Sequence, residues 1–451
     1  MLQKYVPQSK NIRRLIIVAF ILRIVPLIVW LRWPCVRDEC TYLRLSERIL
    51  SGEGMTASSG WIWAPGYPFL ISIHEALTGY GAGIKTTQCI VSIGIMILMY
   101  NMGKRIAGES AGKWALFFYA FSPTQIFFAQ SLWSECLYGG LLLLALYFFD
   151  RSAEEKENVL KYATITGLLV GFCVLFRGVA TYMLPIFAFG FWWKRWFEKK
   201  TYIKIGMMFF MAIVTVTPYS IYASNKFGSF MISDRTLGQM MWLGNNEFQP
   251  IAFDWGNGPL SNKAFDRHTK GGREPCAKKR KPVVRDKCQT HNGIEWIKNN
   301  QKEFVRRIPL RIAQMLNPHS FLTRHIRWGF WLGLPRTIDE FLIALNVFWN
   351  LLVMWGGTIG LITYGRKARE VLIGGILVYH IVAISILAGL TRYRVPLEPL
   401  LMLYLAWAVS RRKDLWEDMK GRRLFVFLGM VCLVPFTLWF LPTGWLWWRH
   451  W

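Results

Sequence analysis

The stretch CVRDECTYLRL, residues 35–45, places two adjacent carboxylates, Asp38 and Glu39, at the end of the first long apolar run of the chain. Its flanks decide the fold. Upstream, residues 11–33 are apolar apart from Arg23. The run exceeds the ~7–15 residues of a signal-peptide core and no small-residue cleavage site follows, so it reads as an uncleaved first membrane span. Arg23 is a functional charge, or it faces a neighbouring helix, or it snorkels to the surface. Downstream, ECTYLRLSERILSG has Tyr42, Leu45 and Ile49 at i, i+3 and i+7, joined by Leu43 and Leu50. That is the period of a short amphipathic helix, and Gly52 is a natural stop. Such a helix lies in the headgroup region. Asp38 then falls at the N-cap and Glu39 in the first turn, where acids suit free N–H groups and the helix dipole without any further role. WIWAPGYPFL, residues 61–70, follows as a rigid Pro-Gly bend, and ISIHEALTG as a second interfacial helix.

The rest of the chain agrees with a membrane setting. Hydrophobic residues make up 53% of the 451, and mean hydropathy is +0.27, too apolar for an ordinary soluble chain of this size. Many of the 23 Trp lie at the ends of apolar runs, the level of lipid headgroups. A net charge of +27 suits nucleic acid in a soluble chain. In this one it points to anionic lipids or phosphorylated substrates instead. The eight Cys form no CxxC pair, so no zinc or redox motif is visible.

Helix-length apolar runs occur at 11–33, 86–104, 112–129, 132–149, 160–176, 178–193, 203–223, 339–363, 370–390, 395–410 and 424–441. The expected fold is therefore all-α: a polytopic bundle of eleven or so transmembrane helices, with interfacial helices in the first outer loop and one larger outer loop. If the spans alternate, Lys4, Lys10, Arg13 and Arg14 share a side with Lys104, Arg105, Lys113, Lys194, Arg195, Lys199, Lys200, Lys204, Arg366, Lys367, Arg369 and the basic run 411–423. The basic side is cytoplasmic. That leaves 34–85 and 224–338 outside, between an N-terminal membrane module (1–223) and a C-terminal one (339–451). The 224–338 segment carries 20 Lys and Arg against 8 Asp and Glu, net +12, but charge rules govern only loops shorter than ~60 residues. In its basic centre, CAKKRKPVVRDKC, Cys276 and Cys288 either bridge in an oxidising exterior or stay as free thiols in a solvated charge run.

At this point the chain resembles the C-type (GT-C) glycosyltransferases, in the branch of protein O-mannosyltransferases and lipid A aminoarabinose transferases. RDECTYLRLSERILSGEG is similar to the family's first-loop pattern, and APGYPFL to its Pro-Pro-Gly-Tyr-Pro turn. FSPTQIFFAQSLWSECL resembles the second outer loop, and FRGVATYMLP the Arg-then-Pro break between the fifth and sixth spans. TPYSIYASNKFGSF and LGNN resemble the opening of the large outer loop, and TRYRVPLEPLL the late Arg-Tyr-Arg motif. Ala64 replaces the first Pro of the turn, a minor departure. More telling, WIWA stands where the aminoarabinose transferases carry Glu-Lys, which argues against that sugar and against a metal or phosphate-binding Lys there.

The resemblance implies inverting transfer from a polyprenyl-phosphate sugar to a hydroxyl of a protein, glycolipid or polysaccharide. The site would face outward from a bacterial inner or plasma membrane, with membrane lipids as further partners and no nucleic acid. No cofactor is expected, and a divalent metal is not. Asp38 matches the family's proposed general base, with Glu39 beside it. Substrate-binding candidates are Arg177, Arg392 and Arg394 for the donor phosphate, Glu135 at the start of the fourth span, and Tyr67 in the bend. Each has a structural alternative: terminal arginines snorkel, Glu135 opens a helix, and Tyr67 packs the turn. A transporter or flippase of a lipid-linked sugar predicts internal repeats and paired broken helices, and none is visible. A non-catalytic envelope assembly subunit is the third reading. It leaves the acids and late arginines without a common role.

Overall fold

A computed structural model describes residues 9–30, 35–36, 38–55, 62–155, 157–193, 195–247, 276, 279, 281–327, 329, 333–365 and 367–439. The ends of the first and last apolar runs (31–33 and 440–441), Trp61, Arg366 and much of the basic stretch before Lys281 lie outside the described residues.

The chain is helical almost throughout, and its β-structure among the described residues is one antiparallel bridge, Ile62 with Arg235. Helix α1 (Lys10–Trp30) leads to the two short helices α2 (Asp38–Leu50) and α3 (Gly66–Thr78). Then come α4 (Ile84–Ala120), α5 (Pro123–Gln130), α6 (Glu135–Glu154), α7 (Val159–Phe176), α8 (Leu184–Trp192) and α9 (Lys199–Phe227). The segment after α9 holds α10 (Leu237–Gly244), α11 (Pro282–Asn299), α12 (Gln301–Leu316) and α13 (Phe321–Arg327). The chain returns through α14 (Arg336–Tyr364), α15 (Ala368–Ile386), α16 (Glu398–Ser410) and, beyond a short turn, α17 (Arg423–Leu438).

Among the described residues, seven helices are long and apolar enough to cross a membrane. Phe210, Ile213 and Ile221 on α9, and Phe427 and Val431 on α17, are exposed. In water such faces are costly; in lipid they are the natural surface. The protein is an integral membrane protein.

Three apolar runs are broken where the sequence suggests single spans. Residues 112–129 divide because Ser122 caps α5, accepting the Gln125 N–H at 3.3 Å, with Pro123 at the first helical position. Residues 178–193 and 395–410 begin as or within 3-10 turns, Gly178–Met183 and Thr391–Leu397. Helix α4 is in fact two limbs. Gly108, at φ 80°, reverses the chain between them in a region that favours glycine. A Cβ on Gly103 would press within 2.7 Å of the Ala111 carbonyl, so the limbs pack backbone to backbone.

Arg23 is fully buried between helices. Its Nε donates to Ser92 Oγ (2.8 Å) and its Nη1 to the Ala120 carbonyl (3.0 Å), with Nη2 on Tyr119 O (3.3 Å). Those carbonyls end a helix and have no partner within it, so the cation satisfies them. Of the three sequence readings, the neighbouring helix is the one observed.

Helix α6 gives the bundle two ends. At its Glu154 end, Arg105 meets Asp150 (3.0 Å) and Glu155 (3.2 Å), and Arg369 meets Asp150 (2.7 Å). Lys367 reaches Glu154 there at 3.5 Å. Cations assigned to one side from sequence, Arg105, Lys367 and Arg369, thus gather at one end. The Glu135 end carries α2, α3 and the segment after α9.

Candidate active site

The Glu135 end is built around charges that sequence distance hides. Asp38 opens α2, and its Oδ2 accepts from Arg392 Nη1 at 2.8 Å. Glu135 opens α6, and its Oε1 accepts from Arg177 Nη1 at 2.6 Å. Arg392 Nε lies 4.0 Å from the same Glu135 oxygen, so two acids and two arginines form one chain. The guanidinium of Arg177 also stands over the Tyr393 ring (5.2 Å), and that of Arg392 over Trp133 (5.0 Å). Arg177 sits where α7 gives way to a 3-10 turn, and Arg392 within the turn before α16, so broken helix ends aim both.

Asp38 is not spent on capping. Its partner among the described residues is Arg392, whereas Glu39 reaches back to accept the Val36 N–H (3.2 Å). Glu39 is 1% exposed and also accepts the Leu132 N–H at 2.9 Å. It bolts α2 to the turn that carries Glu135. Burial pushes its carboxyl above the ordinary range, opposed by Lys85 and by the two N–H donors. A disulfide between Cys35 and Cys40, with Cα atoms 5.1 Å apart, encloses both acids.

A cavity of about 740 Å³ opens beside these groups. Asp38, Arg177 and Arg392 line it, as do Tyr42, Trp63, Asp234 and Arg324. Four other sequence candidates are not in its lining: Glu135, which pairs with Arg177 as above, and Arg394, Tyr67 and Glu39. Arg394 is 2% exposed; its Nε meets Glu398 (3.1 Å) and its Nη1 the Asn317 carbonyl (2.6 Å). Gln125 on α5 completes this cluster by donating to Glu398 at 3.1 Å. Arg394 therefore fastens the turn that presents Arg392. Tyr67 is buried with its ring 4.8 Å from Tyr42, edge-on, and so supports a wall residue. Glu39 lies behind the wall as described.

Sequence reasoning passed over Tyr42, Trp63, Asp234 and Arg324 as cavity residues. Asp234 follows α9 in a plain loop, with no spacing to mark it. It also passed over the Cys35–Cys40 bridge, although the five-residue spacing around Asp38 was there to see. The second bridge, Cys276–Cys288, settles the alternative left open for that pair. Among the described residues no three of His, Cys, Asp and Glu converge where they would hold a metal ion.

The backbone has solved counterparts. The archaeal oligosaccharyltransferase AglB from Archaeoglobus fulgidus, in complex with an inhibitory peptide and a dolichol-phosphate, superposes over 96% of this chain and 55% of its own, with a TM-score of 0.52 and 15% identity. The chain has the GT-C fold. The apo form of the Archaeoglobus fulgidus oligosaccharyltransferase matches over 94% of this chain and 55% of its own, with a TM-score of 0.51 and 14% identity. ArnT from Cupriavidus metallidurans, bound to undecaprenyl phosphate, covers 90% of this chain and 79% of its own, with a TM-score of 0.41 and 12% identity. The chain spans about half the length (55%) of the oligosaccharyltransferase structures it matches. In sequence, residues 63–221 match the family model for dolichyl-phosphate-mannose-protein mannosyltransferases. No curated protein gives a significant sequence match.

Proposed function

We propose that the chain is an inverting glycosyltransferase, moving a sugar from a polyprenyl-phosphate donor to a hydroxyl acceptor on the outer side of the membrane. One observation carries this reading: Arg392 stands between Asp38 and Glu135 at the wall of the 740 Å³ cavity, with Arg177 paired beside it. The fold and the dolichol-phosphate in the AglB structure support a lipid-phosphate donor. In the reaction the acceptor oxygen bonds to the anomeric carbon as the bond from that carbon to the phosphate oxygen breaks. Asp38 takes the hydroxyl proton. The departing lipid phosphate gains charge, which Arg177 and Arg392 stabilise as preorganised donors. Guanidinium forks match phosphate oxygens in a way that Lys does not.

The direct test uses protein in vesicles with a polyprenyl-phosphate sugar labelled in the sugar, together with envelope extract. Label appears on an acceptor and free polyprenyl phosphate accumulates. Label that crosses the bilayer still attached to its lipid identifies a flippase and refutes the proposal.

Three narrower expectations follow from the geometry. Arg392→Lys keeps the charge and loses the fork, so donor affinity weakens by about 1–3 kcal/mol, the scale of a charged hydrogen bond. Equal affinity in titration calorimetry assigns Arg392 a purely structural role. Two arginines already meet the leaving phosphate, and WIWA lacks the Glu-Lys pair, so transfer persists in EDTA. Activity lost to chelator and regained with Mg²⁺, Mn²⁺ or Zn²⁺ contradicts this. For sidedness, Lys302→Cys on α12 reacts with an impermeant thiol reagent in intact cells, and Lys413→Cys after α16 does not. Both are made in a Cys432→Ser background, because Cys432 is an exposed free thiol. The reverse pattern moves the site to the cytoplasmic face.

A further inference from the structure

Ile62, the second residue of WIWA, meets the loop after α9 at the one β-bridge of the described chain. The Arg235 N–H donates to the Ile62 carbonyl at 2.8 Å, antiparallel. Trp63 and Asp234 are the residues one step along from that bridge on either side. Both line the cavity.

We propose that Trp63 and Asp234 form a subsite for the hydroxyl groups of a neutral donor sugar. This rests on the glycosyltransferase reading above. The indole Nε1 of Trp63 is buried and has no hydrogen-bond partner among the described residues. Its ring is fixed by Tyr42, edge-on at 4.9 Å. Asp234 has one neutral side-chain donor, Thr236 Oγ1 at 2.7 Å, and forms no ion pair among the described residues. Its carboxylate lies against Gly178, where any Cβ would overlap it, so the backbone has been cleared to admit it. Burial raises its proton affinity, which strengthens the demand for donors. A sugar hydroxyl both donates to a carboxylate and accepts from an indole N–H, and its C–H face packs on an aromatic ring. Pockets that orient a ligand commonly do so with a few such groups on an apolar wall. Arg177, Arg235 and Arg392 also line the cavity, but each is paired with a carboxylate (Glu135, Asp286 and Asp38), which leaves Asp234 without a paired cation among the described residues and open to hydroxyl donors. The sugar would extend from a phosphate held at Arg177 and Arg392 toward Trp63 and Asp234.

The test compares binding of bare undecaprenyl phosphate with that of undecaprenyl-phosphate-linked glucose, mannose, galactose, arabinose and, as the charged comparison, 4-amino-4-deoxyarabinose to the full-length protein in detergent. Wild type binds at least one sugar conjugate more tightly than the bare lipid phosphate. Asp234→Asn keeps the shape and Trp63→Phe keeps a ring. Each lowers that excess by roughly tenfold or more. Binding of bare undecaprenyl phosphate stays unchanged in both, which also shows that the variants are folded. The subsite is refuted if both variants retain the excess, if no neutral sugar gives an excess in wild type, or if only an aminosugar conjugate does. Wild type that fails to bind bare undecaprenyl phosphate sinks the lipid-phosphate reading as well. Retained binding of the bare lipid without any sugar excess sinks the subsite alone.

Discussion

Replacing Asp38 with Asn lowers sugar transfer by roughly 10²–10⁴-fold, the usual contribution of a positioned base, while donor binding stays near normal. Asn preserves the shape, and its carbonyl still accepts from Arg392, so the cavity wall is undisturbed. It cannot take the acceptor's proton. Helix capping offers no rival account of such a loss, because Asn caps about as well as Asp. In the structure Asp38 faces Arg392 while Glu39 takes the backbone N–H of Val36. Single-turnover transfer at saturating donor is the measurement. A folded Asp38→Asn protein with near-normal turnover removes Asp38 as the base and turns attention to Glu135.

Removing Glu135 alone destabilises the fold by about 3–5 kcal/mol, the cost of leaving a buried charge unpaired. Its side chain is 1% exposed and that of Arg177 is 13% exposed. Glu135→Ala also leaves two arginine side chains facing each other without the carboxylate between them. The double change Glu135→Leu with Arg177→Met replaces the pair by apolar groups and recovers most of that stability. It does not recover donor binding, because Arg177 is gone. Thermal unfolding and lipid-phosphate binding of both variants separate the two roles. A single variant as stable as wild type shows that water already screens the pair.

The membrane helices were legible because lipid imposes one rule along the whole chain: long apolar runs with charges at the ends. The breaks were less so. Ser122-Pro123 carries a cap signal, yet it sits inside a continuous apolar run, and hydropathy outweighs it. In the site, the reach of sequence was set by how residues pair. Arg392 and Arg394 are the same residue type two positions apart, and each suits a phosphate. Only the 3-10 turn decides that one lines the cavity and the other grips Glu398 and Asn317. Glu39 and Asp38 likewise share chemistry and diverge in place. Asp234 became visible only when the fold placed it in the same cavity wall as Trp63.

The pairing of Asp38 with Arg392 spans 354 residues, and this orders events during synthesis. At about 5–20 residues per second, Arg392 emerges roughly 20–70 s after Asp38. For that interval the acid has no cation from the last membrane helices, while Arg177 arrives well before the midpoint to claim Glu135. The local clamp is different in kind: Cys35 and Cys40 are five residues apart, so their bridge needs nothing that is translated later. The segment around Asp38 can therefore take its final shape long before the cavity exists. A ribosome stalled between residues 223 and 338 would hold a finished acid segment and three of the four groups of the charged chain, with Arg392 still unwritten.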